Sequence, residues 1–275
     1  MKLTNIKNIS EKDLWKIKKL YLDCFDDNQE YVDAYFSTYS KNIYFWYEKD
    51  NNDEIKMIAS LSKKRIVINS QKNEGGLINS IAVNKKYRNQ KIMSNFFNKW
   101  LEELKNIFPY IFIQAYNWDV YKKFDFVPIT YKSEWILRKD QFLKPIETYK
   151  KNDYELMNKI YIDFLRINNI KNYSYKTSKE FKTYNKMLLL DNDKIFQSKK
   201  AWIIVTNNGI EDFAYTDLKE FIRLVSIFPQ NTKILSYLNL DKRFFTQSSK
   251  KTVTTKMLKT NNLFEIDEIY FNDFF

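Results

Sequence analysis

Between residues 79 and 97 the chain reads NSIAVNKKYRNQKIMSNFF. An apolar run, a basic turn and the opening of an amphipathic helix follow one another, which is how a strand delivers a turn to a helix N-terminus. Such a terminus holds anions, because its first N–H groups have no partners inside the helix and the helix dipole leaves partial positive charge on them. Phosphate turns normally carry glycine, which lets the backbone approach the anion closely, often at positive φ. This stretch has none. If residues 89–94 form the first helical turn, most of them need only right-handed dihedrals, and glycine is optional. A single left-handed position would fall on Asn89, the residue type that tolerates it best after glycine. Lys91 then loses glycine's close approach but brings an ammonium toward phosphate. The bland alternative is a solvated basic turn that binds nothing.

The composition removes several other chemistries. With no histidine there is no imidazole base, no Ser-His-Asp triad and no histidine metal ligand, and with one cysteine, Cys24, there is no internal disulfide and no cysteine-rich zinc site. No metal is expected. Cys24 falls on the apolar side of a helix with Leu14, Ile17, Leu20, Tyr21 and Phe25, a packing position. Lys+Arg number 46 against 34 Asp+Glu, a formal charge of +12. The basic residues are nearly all lysine, and 22 Phe and 20 Tyr accompany 3 Gly and 4 Pro, the usage of very AT-rich coding DNA. Lysines and aromatics are spread along the whole chain instead of forming one stripe, which argues against a nucleic-acid partner. The N-terminal MKLTNIKNIS lacks a signal-peptide core, and the longest apolar runs, such as AWIIV at 201–205, are too short to span a bilayer. A cytoplasmic protein without a membrane partner is expected.

The elements that must position the turn are readable in outline. Ser10 caps a helix over about residues 11–25, and a second helix follows from Asn28. β-rich runs at 42–48, 55–62, 65–70 and 77–83 precede a helix over 92–106 that buries Ile92, Phe96, Trp100 and Leu104. Strand 110–115, a short helix at WDVYKKF and strands around FVPITYKSEWILR complete an α/β (α+β) unit with a central mixed sheet flanked by helices. The strand pattern is lost near Leu143, where a boundary divides 1–143 from 144–275. The second part reads helix, helix, a hairpin turning at NNG (207–209), a helix from Asp217 and strands near KILSYLNL, a loose repeat of the first without its phosphate turn.

The series INSIAVNKKYRNQKIM, a helix, then YIFIQAYNWDVYKKFDF resembles the core of the GNAT acyl-CoA N-acetyltransferases. In that family a strand ending in an Ala-Val pair feeds a pyrophosphate turn of pattern Q/R-x-x-G-x-G/A, matched here by Arg88, Asn89, Gln90, Lys91, Ile92 and Met93, with Ser94 following. A later element of the type Tyr-x-x-x-Gly-Phe is matched from Tyr121 to Phe126, with Asp125 at the glycine position. A bulky residue at the Met93 position is similar to the enhanced intracellular survival (Eis) branch. That branch carries a second, degenerate GNAT-like domain and ends on an aromatic residue whose carboxylate enters the active site; here the last residue is Phe275. Eis-like chains add a sterol-carrier-like domain before that end, and 275 residues leave no room for a full one.

The resemblance implies acetyl-CoA as co-substrate and transfer of its acetyl group to a primary amine, of a small molecule or lysine-like. It places Ile81, Ala82 and Val83 along the acetyl carbonyl and pantetheine arm, the turn residues on the pyrophosphate, and Tyr116 and Asn117 beside the cofactor. Tyr121 would be the general acid to sulfur and the Phe275 carboxylate the proton acceptor. It also implies a homo-oligomer, hexameric in that branch. Asp23, Asp26, Asp27 and Glu30, with Glu268 and Asp273, offer negative charge to a polycationic amine, or are scattered surface acids. Three functions stay open: an active N-acetyltransferase, a degenerate CoA-binding or scaffold module, and a basic nucleic-acid binder.

Overall fold

A computed structural model describes residues 3–115, 117–258, 266 and 268–271. Elements follow in the order β1 (Thr4–Asn5), α1 (Glu11–Leu22), α2 (Gln29–Thr38), β2 (Ile43–Lys49), β3 (Ile55–Ile68), β4 (Gln71–Val83), α3 (Ile92–Lys105), β5 (Tyr110–Ile113) and β6 (Phe126–Leu137). The second half continues with α4 (Tyr154–Ile167), β7 (Tyr173–Ser174), α5 (Ser178–Leu190), β8 (Lys194–Gln197), β9 (Ala201–Thr206), β10 (Gly209–Tyr215), α6 (Leu218–Val225), β11 (Lys233–Ser236), β12 (Phe245–Gln247) and β13 (Thr252–Leu258). Ser10 caps α1 as expected, its side chain accepting from the Asp13 N–H. The predicted runs at 55–62 and 65–70 are one strand, β3. Lys63, Lys64 and Arg65 read as a break, but they simply continue the pairing opposite Gly76, Gly75 and Glu74. The reversal comes later, at Asn69 and Ser70, both at positive φ, the signature of a primed hairpin turn. WDVYKKF forms only a short 3-10 turn, Trp118–Tyr121.

The strands join into one mixed sheet with the order β1-β2-β3-β4-β5-β13-β6-β11-β10-β9-β8. β2, β3 and β4 are antiparallel and β4 runs parallel to β5; likewise β8, β9 and β10 are antiparallel and β10 runs parallel to β11. The second half therefore repeats the first in topology. Each half has given its last strand to the other. β6 follows β5 in the chain yet lies beside β11, and β13 follows β11 yet lies between β5 and β6.

Side-chain alternation assigns the layers. On β3, Met57, Ala59 and Leu61 face the cluster around Phe96, Phe97 and Trp100 of α3, while Ile58 faces Ile17, Val32 and Phe36 of α1 and α2. Met187 of α5 is buried in that second cluster, so a helix of the second half completes a core of the first. The α1/α2 face also carries a polar belt: Ser60 and Ser62 of β3, Asn79 and Ser80 of β4, and the hydroxyls of Tyr21 and Tyr35. Ser62 Oγ donates to Asn79 Oδ1 (3.2 Å), Asn79 Nδ2 donates to Tyr35 Oη (3.2 Å), and Ser80 hydrogen-bonds Tyr21. No helix among the described residues is long and apolar enough to cross a membrane.

Candidate active site

The site begins with a register error in β4. Ile78 lies opposite Leu61 and Ser80 opposite Ser60, so Asn79 is an extra residue, a β-bulge. The bulge puts Ile78 and Ile81 on the same, α3-facing side although they are three residues apart. It also ends the pairing with β5, which stops at Ile78 and Ile113. From Asn79 onward β4 keeps β3 on one side and leaves a cleft on the other. The Asn84 N–H reaches Lys56 O on β3 (2.9 Å), so by alternation the N–H groups of Ile81 and Val83 point into the cleft. These are donors placed for a carbonyl oxygen.

Beyond Val83 the turn departs from the expected geometry. The helix starts at Ile92, not at residue 89, and two residues are left-handed: Asn89 (φ 64°) and Lys91 (φ 57°, ψ 12°). Glycine would therefore relieve strain at Lys91, the first glycine position of the family pattern; lysine occupies it at a conformational cost of roughly 1–2 kcal/mol. Asp125, standing where the second motif carries glycine, is left-handed too (φ 52°). Lys91 is the N-cap of α3 but makes no side-chain capping bond, and the first turn holds no acid. The first backbone bond of the helix is Asn95 N–H to Lys91 O (3.0 Å), which leaves the N–H groups of Ile92, Met93 and Ser94 outside the helical ladder. Lys123 Nζ donates to Ser94 Oγ (2.6 Å), bringing a second ammonium to this end. The matching helix of the second half is closed to anions. Asp217 Oδ1 accepts from the Lys219 and Glu220 N–H groups (2.9 and 3.2 Å), filling the place of a phosphate with its own carboxylate.

Of the predicted residues, Ile81, Val83, Ile92, Met93 and Tyr121 come together on one apolar cluster at the cleft. Ala82 faces the other way, into the α1/α2 core. Tyr121 packs on Phe97 and Phe124 (5.7 and 6.5 Å between ring centroids), and burial raises its phenol above the ordinary value, keeping it protonated as a donor must be. Arg88 is turned back: Nε donates to Val83 O (3.0 Å) and a terminal nitrogen lies 3.4 Å from Cys24 Sγ. Gln90 Nε2 donates to Lys86 O (3.1 Å) and Asn117 Oδ1 accepts from the Asp119 N–H (3.0 Å), so both shape turns. Asn89 is exposed. Tyr116, Asp273 and Phe275 lie outside the described residues.

Sequence reasoning missed Lys123, which sat inside the quoted tyrosine motif, and the acids of the second half, for which no local signal exists. Asp23, Asp26 and Glu30 are exposed, whereas Asp27 accepts from Tyr21 Oη (3.0 Å) at the end of the polar belt. Asp191 and Asp193, from the α5–β8 connection, face it across the junction of the halves. Burial and then the neighbouring Asp27 charge raise Asp191, while burial, Asp191 and Glu211 push Asp193 up to about 6. Among the described residues these three aspartates have no ion-pair partner within 4.0 Å, in a chain of net charge +12. Such a group is suited to an ammonium. Groups of three or more metal-ligating side chains are absent among the described residues.

Two outcomes test this geometry. Lys91→Gly removes the left-handed strain and gives back part of it as unfolded-chain entropy, for a net gain of up to about 1 kcal/mol in urea unfolding, while Lys91→Ala gains nothing; equal midpoints for both would reject the strain. Asp193 has a folded pKa above its unfolded one, so its charge costs stability that is absent below about pH 4, grows toward pH 6 and is constant above. Asp193→Asn should therefore stabilise at pH 7.5 and not at pH 4, and a pH-independent gain would place the effect outside the carboxylate.

Residues 5–129 match the family described as an acetyltransferase (GNAT) domain. No curated protein matches the chain. Among solved structures, a probable N-acyltransferase from Enterococcus faecalis V583 superposes with a TM-score of 0.69 at 10% identity, over 90% of this chain and 70% of that one. A GCN5-related N-acetyltransferase from Kribbella flavida gives 0.68 at 9% identity, over 93% and 71%. Eis1 from Mycobacterium abscessus gives 0.55 at 10% identity, over 86% and 72%. At these identities the likeness is one of fold. The N-terminal part of the chain, residues 5–129, is a GNAT acetyltransferase domain, carried in a fold that Eis1 shares.

Proposed function

We propose that the chain is an N-acetyltransferase that takes its acetyl group from acetyl-CoA and delivers it to a primary amine. The observation that carries this reading is the uncapped N-terminus of α3, flanked by Lys91 and Lys123 and opening beside the β4–β5 cleft, while its counterpart α6 is closed by Asp217. The N–H groups of Ile92, Met93 and Ser94 and the two lysines would hold the pyrophosphate. Acetyl-CoA supplies the acyl group as a thioester, already activated toward an amine. The Ile81 and Val83 N–H groups would orient and polarise the carbonyl, and Tyr121 would give its proton to the departing sulfur. Asp27, Asp191 and Asp193 would draw the amine in as its ammonium. The bound ammonium would first give one proton to solvent, freeing the lone pair that attacks the carbonyl, and the carboxylate of Phe275 would take the second proton, which the nitrogen loses as the C–N bond forms. In support, the described tail is buried at Ile269, Tyr270 and Phe271, and it runs parallel to β7 in the direction of Tyr175 and Lys176.

Acetyl-CoA should raise the melting midpoint, since a ligand of the folded state alone stabilises it. Tyr121→Phe should keep that shift and lose about 10²-fold or more in kcat with a primary amine. Binding with no turnover in the unaltered protein would leave a CoA-binding module, and no shift at millimolar ligand would remove the cofactor altogether. Appending a few Gly and Ser residues after Phe275 moves the charge and leaves an amide there. The expected result is unchanged acetyl-CoA binding with amine acetylation slowed by a comparable factor, the control being the same extension at the N-terminus. Unchanged turnover would release Phe275 from the chemistry.

A further inference from the structure

One member of the polar belt on the α1/α2 face is unsatisfied. Ser60 is fully buried, and its Oγ has no hydrogen-bond partner among the described residues. Buried hydroxyls are nearly always paired, so an orphan marks a place where a visiting polar group is held. In register Ser60 stands directly opposite Ser80 of β4. Side chains so placed have Cβ atoms about 5 Å apart. Ser80 in turn precedes Ile81, whose N–H points into the cleft. The serine pair therefore lies about one residue of strand, roughly 3.3 Å, from the place of the acetyl carbonyl.

The two faces of the sheet divide the reactants between them. The open N-terminus of α3 and Tyr121 belong to one face. The belt and the aspartates at its end belong to the other, so an amine drawn in by those acids meets the carbonyl at Ser80.

Hydrogen bonds along the belt have a direction. Tyr21 Oη donates to Asp27 Oδ2 (3.0 Å). A phenol has one proton, so the bond between Ser80 and Tyr21 runs from the serine to the tyrosine. Ser80 has then spent its own proton, and the lone pairs of its Oγ are left to accept from a donor at the cleft, which an ammonium is. Burial raises the Tyr21 phenol, so it passes a proton on without standing as a phenolate. Tyr21 is buried, whereas Asp27 is half-buried and touches solvent. The chain of donors leads from the carbonyl to water.

We propose that Ser80, Tyr21 and Asp27 form a proton relay that carries the first proton of the acceptor ammonium to solvent, with Ser60 as a second hydroxyl holding the amine. The inference rests on the acetyltransferase reading and deepens it on the acceptor side. As the ammonium gives a proton to Ser80 Oγ, Ser80 gives its own to Tyr21 and Tyr21 gives its own to Asp27. The products are a neutral amine and a neutral carboxyl, which releases the proton to water; Ser80 and Tyr21 each end with one proton, as they began. The nitrogen lone pair then forms the C–N bond as the C–S bond breaks, Tyr121 protonates the sulfur, and the Phe275 carboxylate takes the second proton. Ser80 touches the substrate, and Tyr21 acts through it.

A nearly isosteric pair of amines separates a relay from a structural hydroxyl. At neutral pH ethylamine is an ammonium, whereas 2,2,2-trifluoroethylamine is largely free base, because its fluorines withdraw charge from nitrogen, and it needs no relay. With saturating acetyl-CoA, the ratio of kcat for ethylamine to kcat for trifluoroethylamine should fall at least about tenfold in Tyr21→Phe and in Ser80→Ala. Both variants should keep a cooperative melt and the acetyl-CoA shift of the unaltered protein, and Ser80→Ala covers the case in which Tyr21→Phe unfolds. An unchanged ratio in the folded variants, whether both rates fall together or neither falls, overturns the relay and leaves the acetyltransferase reading standing. No release of free thiol by the unaltered protein, with either amine or a wider set of alkylamines, overturns that reading and the relay with it.

Discussion

The parting of β4 from β5 is the constraint on which the site depends. A mixed sheet gains by pairing every strand edge, and here four residues of β5 pair with β4 before the two separate. One inserted residue, Asn79, achieves this, because a bulge both bends the strand and shifts its alternation by one. Everything chemical in the first half sits on the consequences. Ile81 and Val83 present N–H groups to open space, α3 begins at the lip of the cleft, and Tyr121 packs against the same apolar wall. The polar atoms of Asn79 are also the link between the cleft and the opposite face, through Ser62 and Tyr35. In the second half β10 and β11 pair in the same parallel sense, but Asp217 closes the following helix, so the same architecture carries no anion site there.

Much of this was legible in the residues because it is local. Ser10, the alternation in β2 to β4, the 3.6-residue spacing of Phe96, Trp100 and Leu104, and the NNG turn each act within a few positions. The left-handed strain at Lys91 was not legible, since a lysine in a turn has no sequence mark for positive φ; only the family pattern places a glycine there. The Lys63-Lys64-Arg65 stretch misled for a related reason. Charge in a strand suggests a break, yet here it lines the wall of a cavity. Asp191 and Asp193 lie far along the chain from Asp27, and no periodicity connects residues that meet only when two halves dock. The place of β13 between β5 and β6 is of the same kind.

Asp27, Asp191 and Asp193 gather at one end of the polar belt, apart from the lysines, although the chain as a whole is strongly basic. That separation is maintained against a general tendency, because unpaired carboxylates among so many lysines are readily neutralised by a nearby ammonium. Tyr21 and Tyr31 stand beside them, their phenols raised by burial and further by neighbouring charges that include these carboxylates. The carboxyl of Asp193, raised to about 6 by burial and then by Asp191 and Glu211, belongs to this arrangement.

The exchange of β6 and β13 bears on how the protein is made. A ribosome releases the chain from its N-terminus, and the domain that carries the cleft is without the neighbour of β5 until residues 252–258 have emerged. Until then β5 and β6 are open edges, the surfaces on which nascent chains mispair with one another. The cleft-bearing sheet is therefore incomplete on a partly synthesised chain, and a chain that stopped anywhere before β13 would keep two unpaired edges where the whole protein has a continuous sheet.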